Sequence, residues 1–279
     1  MNVHELRESR LSLVDGVAEP SHQRPAVRNV LSLALRADYQ DAIELIECDA
    51  SIRALIITGS RGSFCSGGDI KDMLSRLNTD QAALPVASST RQRLQTAHRV
   101  WLDRLRSLDV PVLAAVDGPA MGAGLSLALM ADFVLASTRA VFCCSFAKVG
   151  AVPDFGAFYT LPRVVGLARA KELMMSARRF GPKEAKRLGI VHSVHASEHL
   201  LPEAHRLARG LAAGPPQGLG IDKKSLNRSF DVDYQTMAEI EGHQQAVALS
   251  LPYHAMAVSR FVKKEPALFD WERDGAGAK

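Results

Sequence analysis

RALIITGSRGSFCSGGDIKDM, residues 53–73, runs from an unbroken apolar stretch through a glycine turn into a segment with helical spacing. The absence of alternation in RALIITG reads as a strand buried on both faces. The same three-part pattern returns further on, where VLAAVDG (112–118) leads through GPAMGAG (118–124) into another helical segment. A glycine turn that opens a helix presents unpaired backbone N–H groups at the positive end of the helix dipole. Taken singly, either turn serves close helix-to-sheet packing or holds an anionic atom. Taken together, turns that follow two neighbouring buried strands can aim their amides at one carbonyl oxygen. An enolate forming there would gain about 3 to 4 kcal/mol per donor.

Outward from these turns the chain continues to alternate strand and helix. RLSLVDG (10–16) alternates as a strand, and Leu31, Leu35, Tyr39, Ile43 and Ile46 share one face of a helix. DIKDMLSRL (69–77) is helical, residues 78–90 are expected to be a loop over a site, and a helix is expected from Arg91 to Leu108. FVLAS (133–137) and AVFCC (140–144) are short strands, Ala168 to Ala177 is an amphipathic helix, and GPKEAKRLGIVHSV (181–194) reads as helix, glycine stop and strand. From Pro202 onward the pattern is helical, broken at Gly214–Pro216 and at Pro252. No fixed-period repeat is present.

Composition narrows the function classes. The 279 residues are 47% hydrophobic and 23% charged, as in an ordinary globular protein with a sizeable core. The net charge of +4 is dispersed and lacks basic runs interleaved with aromatics, so nucleic acid is not an expected partner. The most apolar stretch, 111–137, is interrupted by Asp117 and Asp132 and falls short of the about 20 apolar residues a membrane span needs. Cys48, Cys65, Cys143 and Cys144 form no CxxC pair and follow no leader, which points to reduced thiols in the cytoplasm. Adjacent Cys143 and Cys144 read as buried thiols on a strand. His192 and His195, three apart in a strand, fall on opposite faces, so neither they nor His98 are expected to hold a metal.

RALIITGSRGSFCSGGDIKDM, VPVLAAVDGPAMGAGLSLALMADFVLAS (110–137) and FAKVGAVPDFGAFYTLPRVVG (146–166), in that order, resemble the crotonase, or enoyl-CoA hydratase/isomerase, superfamily. The resemblance extends from RPAVRNVLSLAL near residue 24 to FVKKEPALF near residue 269. It implies an α/β fold: a crotonase-type spiral of repeated strand and helix units over residues 1–200, carrying the CoA-thioester site. A helical region, 201–279, would serve oligomerisation and CoA capping. It implies that the amides of Gly68 and Ala123 form an oxyanion hole, with Ser66, Gly68, Asp69 and Ile70 along the CoA moiety. RPAVRN matches a CoA-contacting segment whose usual lysine position holds Ala26, so Arg28 is assigned the missing positive charge. Phe261 and Lys264 match C-terminal positions that reach the CoA nucleotide of an adjacent subunit in similar enzymes, and a homotrimer or dimer of trimers is implied. The partner is an acyl-CoA thioester, and no cofactor beyond the CoA of the substrate is expected.

Within that superfamily the reaction turns on carboxylates. Hydration needs a water held between two acidic side chains, and hydratases of the family carry two glutamates, at positions that are here Ser126 and Phe146. One acid remains, Asp154 in VPDFGAFY, at the position of the catalytic carboxylate in enoyl-CoA isomerases and in members resembling epoxyphenylacetyl-CoA isomerase. A lone base suffices to shift a double bond. Phe146, Phe155 and Phe158 are expected around Asp154, where desolvation would raise its pKa. Asp154 also reads as a helix N-cap after Pro153, Ser126 as a weak substrate contact or a small packing residue, and Asp132 as the maker of a structural hydrogen bond. The expected function is acyl-CoA isomerisation. Water addition or hydrolysis with Asp154 alone, and a catalytically silent acyl-CoA-binding protein, stand as alternatives.

Overall fold

The computed structural model describes residues 2–79 and 86–271. A seven-stranded sheet holds, in spatial order, β1 (Asn2–Glu5), β2 (Ser9–Val14), β3 (Val17–His22), β4 (Ala54–Gly59), β5 (Val112–Val116), β7 (Phe133–Ser137) and β10 (Ser193–His195). The first three strands pair antiparallel, and every pairing from β3 onward is parallel. A smaller sheet joins β6 (Pro119–Met121), β8 (Val141–Cys143) and β9 (Arg179–Phe180).

The apolar strands β4 and β5 lie at the centre, buried on both faces as their composition requires. Ala54, Ile56, Leu113 and Ala115 face the helix Ser197–Ala212, which meets them with Leu200, Ala204, Leu207 and Leu211. Leu55, Ile57, Val112 and Ala114 face the opposite layer, where helix Leu33–Cys48 contributes Leu35, Tyr39, Ile43 and Ile46. This is the face read from the sequence. Ser32 caps that helix by accepting from the Leu35 amide at 3.1 Å.

One strand is added and two local readings are corrected. VAEPSH forms β3 despite Pro20, because Asp15 and Gly16, both at positive φ, close a two-residue hairpin that sets Val14 opposite Val17. The loop expected over 78–90 gives way to helix at both of its ends: one helix runs through Thr79 and the next starts at Val86, and the rest of that reading, residues 80–85, lies outside the described residues. Small residues such as Ala87 and Ser88 resist neither state, and the segment that follows carries them into helix. The helix expected from Arg91 is interrupted by a π-helical turn at His98–Leu102 before it resumes at Asp103–Ser107.

Beyond Ser197 the chain is helical, in segments Ser197–Ala212, Pro216–Arg228, Tyr234–Ser250 and Pro252–Val262. The last two bury none of their residues in this chain. No helix among the described residues is long and apolar enough to cross a membrane.

Candidate active site

The two glycine turns meet. Cys65 donates its amide to Pro119 O at 3.0 Å, and Met121 returns a bond to Cys65 O at 3.0 Å, so the turns are joined as a parallel bridge. Gly67 adopts φ +96°, and a Cβ there would stand 2.7 Å from Met121 O and 3.6 Å from Ala123 N. Glycine is therefore required on both conformational and steric grounds. Gly122, at φ +51°, bonds its amide to Cys143 O at 2.8 Å and delivers Ala123 to the first position of the helix Ala123–Ala128. Among the described groups neither the Gly68 nor the Ala123 amide has an acceptor. Two free N–H donors thus stand at the junction of the turns.

The RPAVRN segment lies against the first turn. Ser66 N donates to Arg28 O at 3.0 Å, Ser66 Oγ to Val27 O at 3.3 Å, and Leu31 N to Gly67 O at 2.8 Å. The buried Asn29, which the sequence reading did not single out, ties the two segments: its Oδ1 accepts from Arg24 N and its Nδ2 donates to the carbonyls of Ser60 and Ser63. Arg28 adopts a left-handed backbone and exposes its side chain beside Ser66. Asp69 accepts from the amides of Lys71 and Asp72 at 3.0 and 3.1 Å, which makes it the cap of helix Ile70–Thr79. Ile70 is exposed at the start of that helix. Phe261 and Lys264 lie at the end of the last helix; Phe261 is 85% exposed, and no hydrogen bond or ion pair among described residues joins either to the turns.

Asp154 sits in a tight turn, followed by Phe155 at φ 48° and Gly156 at φ 78°. Its Oδ1 is buried and meets no hydrogen-bond partner. Burial pushes the carboxyl up to about 6, against the pull of the Arg36 guanidinium and, more weakly, of His98, both of which favour ionisation. The N-cap reading does not hold. Gly156 occupies the N-cap of helix Ala157–Val165, and Asp154 contributes only its carbonyl, which accepts from Ala157 N at 3.1 Å. Phe155 is buried, with the Arg36 guanidinium 4.9 Å above its ring and Trp101 at 5.9 Å. Phe146 is buried with its ring beside Gly122, whereas Phe158 is 59% exposed and does not enclose the carboxyl as expected.

Ser126 is buried and turns its hydroxyl back to Gly122 O at 3.3 Å, the packing alternative of its two readings. Asp132 accepts from Val112 N and pairs with Lys223 Nζ, each at 2.8 Å, which is structural. His195 bonds Ser193 Oγ at 2.8 Å and His192 packs edge-on against Phe133. Among the described residues no three His, Cys, Asp or Glu side chains gather as metal ligands would. Cys143 and Cys144 are buried thiols, with Cys144 pushed up to about 12 by burial.

The enoyl-CoA hydratase/isomerase family matches residues 14–272. The 1,2-epoxyphenylacetyl-CoA isomerase of Escherichia coli strain K12 is 32% identical over 254 residues, covering 91% of this chain and 95% of that protein. A probable enoyl-CoA hydratase of Rhodobacter capsulatus is also 32% identical, over 93% of this chain and 96% of its own. Among solved structures, an enoyl-CoA hydratase/isomerase from Cupriavidus metallidurans CH34 superposes with a TM-score of 0.89 at 39% identity, covering 95% of this chain and 97% of the other.

Proposed function

The chain belongs to the enoyl-CoA hydratase/isomerase family, and from its site we propose that it isomerises an acyl-CoA thioester by moving a double bond through an enolate. The observation that carries this reading is Asp154: a half-buried carboxyl whose Oδ1 is buried without a hydrogen-bond partner, with a serine and a phenylalanine where a hydratase needs its two acids.

The thioester carbonyl oxygen accepts from the amides of Gly68 and Ala123. Asp154, ionised under the influence of Arg36 and His98, removes a proton from the substrate carbon that faces it. Negative charge moves onto the oxygen, where the two amides stabilise it. The resulting carboxylic acid returns the same proton to the other end of the allylic system. One group thus serves as base and then as acid.

Ser66, Asp69, Ile70 and the exposed Arg28 border the path of the CoA moiety. The helical region 201–279 acts as the oligomerisation and CoA-capping unit, with Phe261 and Lys264 serving an adjacent subunit of a homotrimer or dimer of trimers. The exposed Met256, Val258, Phe261 and Val262 on the last helix support that role. Four unpaired cysteines, three of them buried, suit a cytoplasmic setting.

The test is incubation of 3-enoyl-CoA and 2-enoyl-CoA in heavy water, followed by mass and ultraviolet analysis, for wild type and Asp154→Asn. Double-bond migration or deuterium uptake, lost in the variant, is expected. Addition of water would establish a hydratase, and thioesters that bind but stay unchanged would establish a binding protein.

A further inference from the structure

Helix Ala157–Val165 starts where the Asp154 turn ends, and backbone bonds make the two one unit. Ala157 N donates to Asp154 O at 3.1 Å, and Tyr159 N donates to Gly156 O at 2.9 Å. A shift of Tyr159 is therefore passed to the turn. Two side chains of this helix meet the segment that joins helix Pro216–Arg228 to helix Tyr234–Ser250. The Tyr159 hydroxyl donates to Asp231 Oδ2, and Arg163 Nη2 donates to Asp231 Oδ1 at 2.8 Å. Residues four apart share one face of a helix, so a single carboxylate holds two successive turns of it.

A second neighbour of the Asp154 turn enters the same junction. Trp101, whose ring packs on Phe155 at 5.9 Å, belongs to the π-helical turn His98–Leu102, which runs directly into helix Asp103–Ser107 with Arg106. Arg106 Nη2 donates to the Tyr159 hydroxyl at 3.3 Å and to Asn227 O at 2.8 Å, while Asn227 Nδ2 returns a bond to Arg106 O at 3.2 Å. The guanidinium carbons of Arg163 and Arg106 stand 3.4 and 4.7 Å from the centre of the Tyr159 ring. The helix that follows Asp154 and the segment that packs on Phe155 are thus fixed against one short stretch, residues 227–231.

Asp231 and Arg163 are both partly exposed, so their ion pair adds little to global stability. Its consequence is geometric. A base must stand within hydrogen-bond reach of the proton it removes, and a misplacement of about 1 Å can cost about 10²-fold in rate. We propose that Asp231, acting through Tyr159 and Arg163, is a positioning residue for Asp154: it fixes the helix behind the turn and with it the place of the carboxyl. This step rests on the isomerase reading given above.

Asp231→Ala removes both acceptors, Asp231→Asn keeps one for Arg163, and Tyr159→Phe removes only the hydroxyl. Arg10→Met, which breaks an exposed pair with Glu5 at 2.6 Å on the first two strands, is the control. For each full-length variant, kcat and KM for 3-enoyl-CoA are measured together with the titration midpoint of the Asp154 carboxyl. That midpoint is followed by carbon NMR of isotope-labelled aspartate and assigned by its absence in Asp154→Asn. In Asp231→Ala and Tyr159→Phe, kcat is expected to fall about tenfold or more with KM unchanged. The carboxyl midpoint should move down from about 6 as the displaced group meets water. Asp231→Asn should keep part of the rate, and Arg10→Met should match wild type. A midpoint that stays in place in Asp231→Ala, or that moves as far in Arg10→Met, overturns the proposal whatever happens to kcat, because a merely structural bond leaves the carboxyl where it is. A wild type that leaves the double bond in place, with a midpoint that still moves in Asp231→Ala, defeats the isomerase reading and sustains the hold of Asp231 on the carboxyl. Migration that Asp231→Ala leaves unaltered, with the midpoint unmoved, does the reverse.

Discussion

Gly124 packs so closely on Cys65 that an added Cβ would stand 2.9 Å from the Cys65 carbonyl carbon and nearer still to its oxygen. That contact lies at the bridge joining the two glycine turns, so both amide donors depend on it. Gly124→Ala is expected to force the turns apart, lowering stability by roughly 1–3 kcal/mol or more and weakening acyl-CoA binding. Gly181→Ala is the control, because its φ of −93° suits any residue and nothing stands within 4 Å of the added carbon. Thermal unfolding and thioester titration of both variants check this, and equal behaviour would remove the turn contact from the account of the site.

Asp154→Asn keeps the shape of the side chain and removes its basicity. Isomerisation should fall by about 10²-fold or more, with thioester binding retained. Because the base must be ionised, wild-type kcat/KM should rise with pH around a midpoint of about 6. Removing the cation in Arg36→Met should move that midpoint upward, since Arg36 favours the carboxylate. Initial rates of 3-enoyl-CoA conversion across that range decide it. A midpoint that stays in place or moves down would show that Arg36 does not act on the catalytic group.

Ser126 stands where the family resemblance leads one to expect a hydratase acid, yet its hydroxyl is spent on Gly122 O inside its own helix. Ser126→Ala should therefore leave kcat and KM for the isomerisation close to wild type. A tenfold loss would mean that the hydroxyl leaves Gly122 to meet the substrate.

Much of the frame that carries this candidate site was legible in the sequence, for identifiable reasons. The central strands and their glycine turns carry local signatures, whereas Gly68 and Ala123 were singled out as donors by the family resemblance. Asp154 stood out by its place in an ordered series of motifs. The environment that tunes it was not legible. Arg36 belongs to an ordinary amphipathic helix far away in sequence, and no residue pattern marks the π-helical turn that contains His98 and Trp101. The Asp15–Gly16 hairpin did carry a sequence signal, obscured by Pro20 in the strand that follows it. Phe158 was misplaced because the turn at Phe155 and Gly156 rotates the next helix, leaving that ring in solvent.

His22 and Asp154 place opposite pH dependences on stability. His22 is buried between Phe64 O and the Tyr39 hydroxyl, each 2.7 Å from a ring nitrogen. A carbonyl only accepts, so Nδ1 carries the proton and Nε2 accepts from Tyr39. Burial pushes the imidazole down to about 4. Its contribution is complete above the ordinary value of 6.5 and is lost as pH falls toward about 4, on the order of 3 kcal/mol. Asp154 runs the other way. Its raised carboxyl favours the fold at low pH, and that gain disappears as pH rises through about 6, on the order of 2 kcal/mol for a partly exposed group. In the wild type the two slopes offset each other between those values. Asp154→Asn removes only the second, so the variant should be more stable than wild type at neutral pH, and its advantage should shrink steadily on acidification. Urea unfolding midpoints measured from pH 7 down to about pH 4 test this, since that window spans both titrations. Parallel curves for the two proteins would show that Asp154 is not desolvated in the folded chain, and the argument for its role as a tuned base would fall with them.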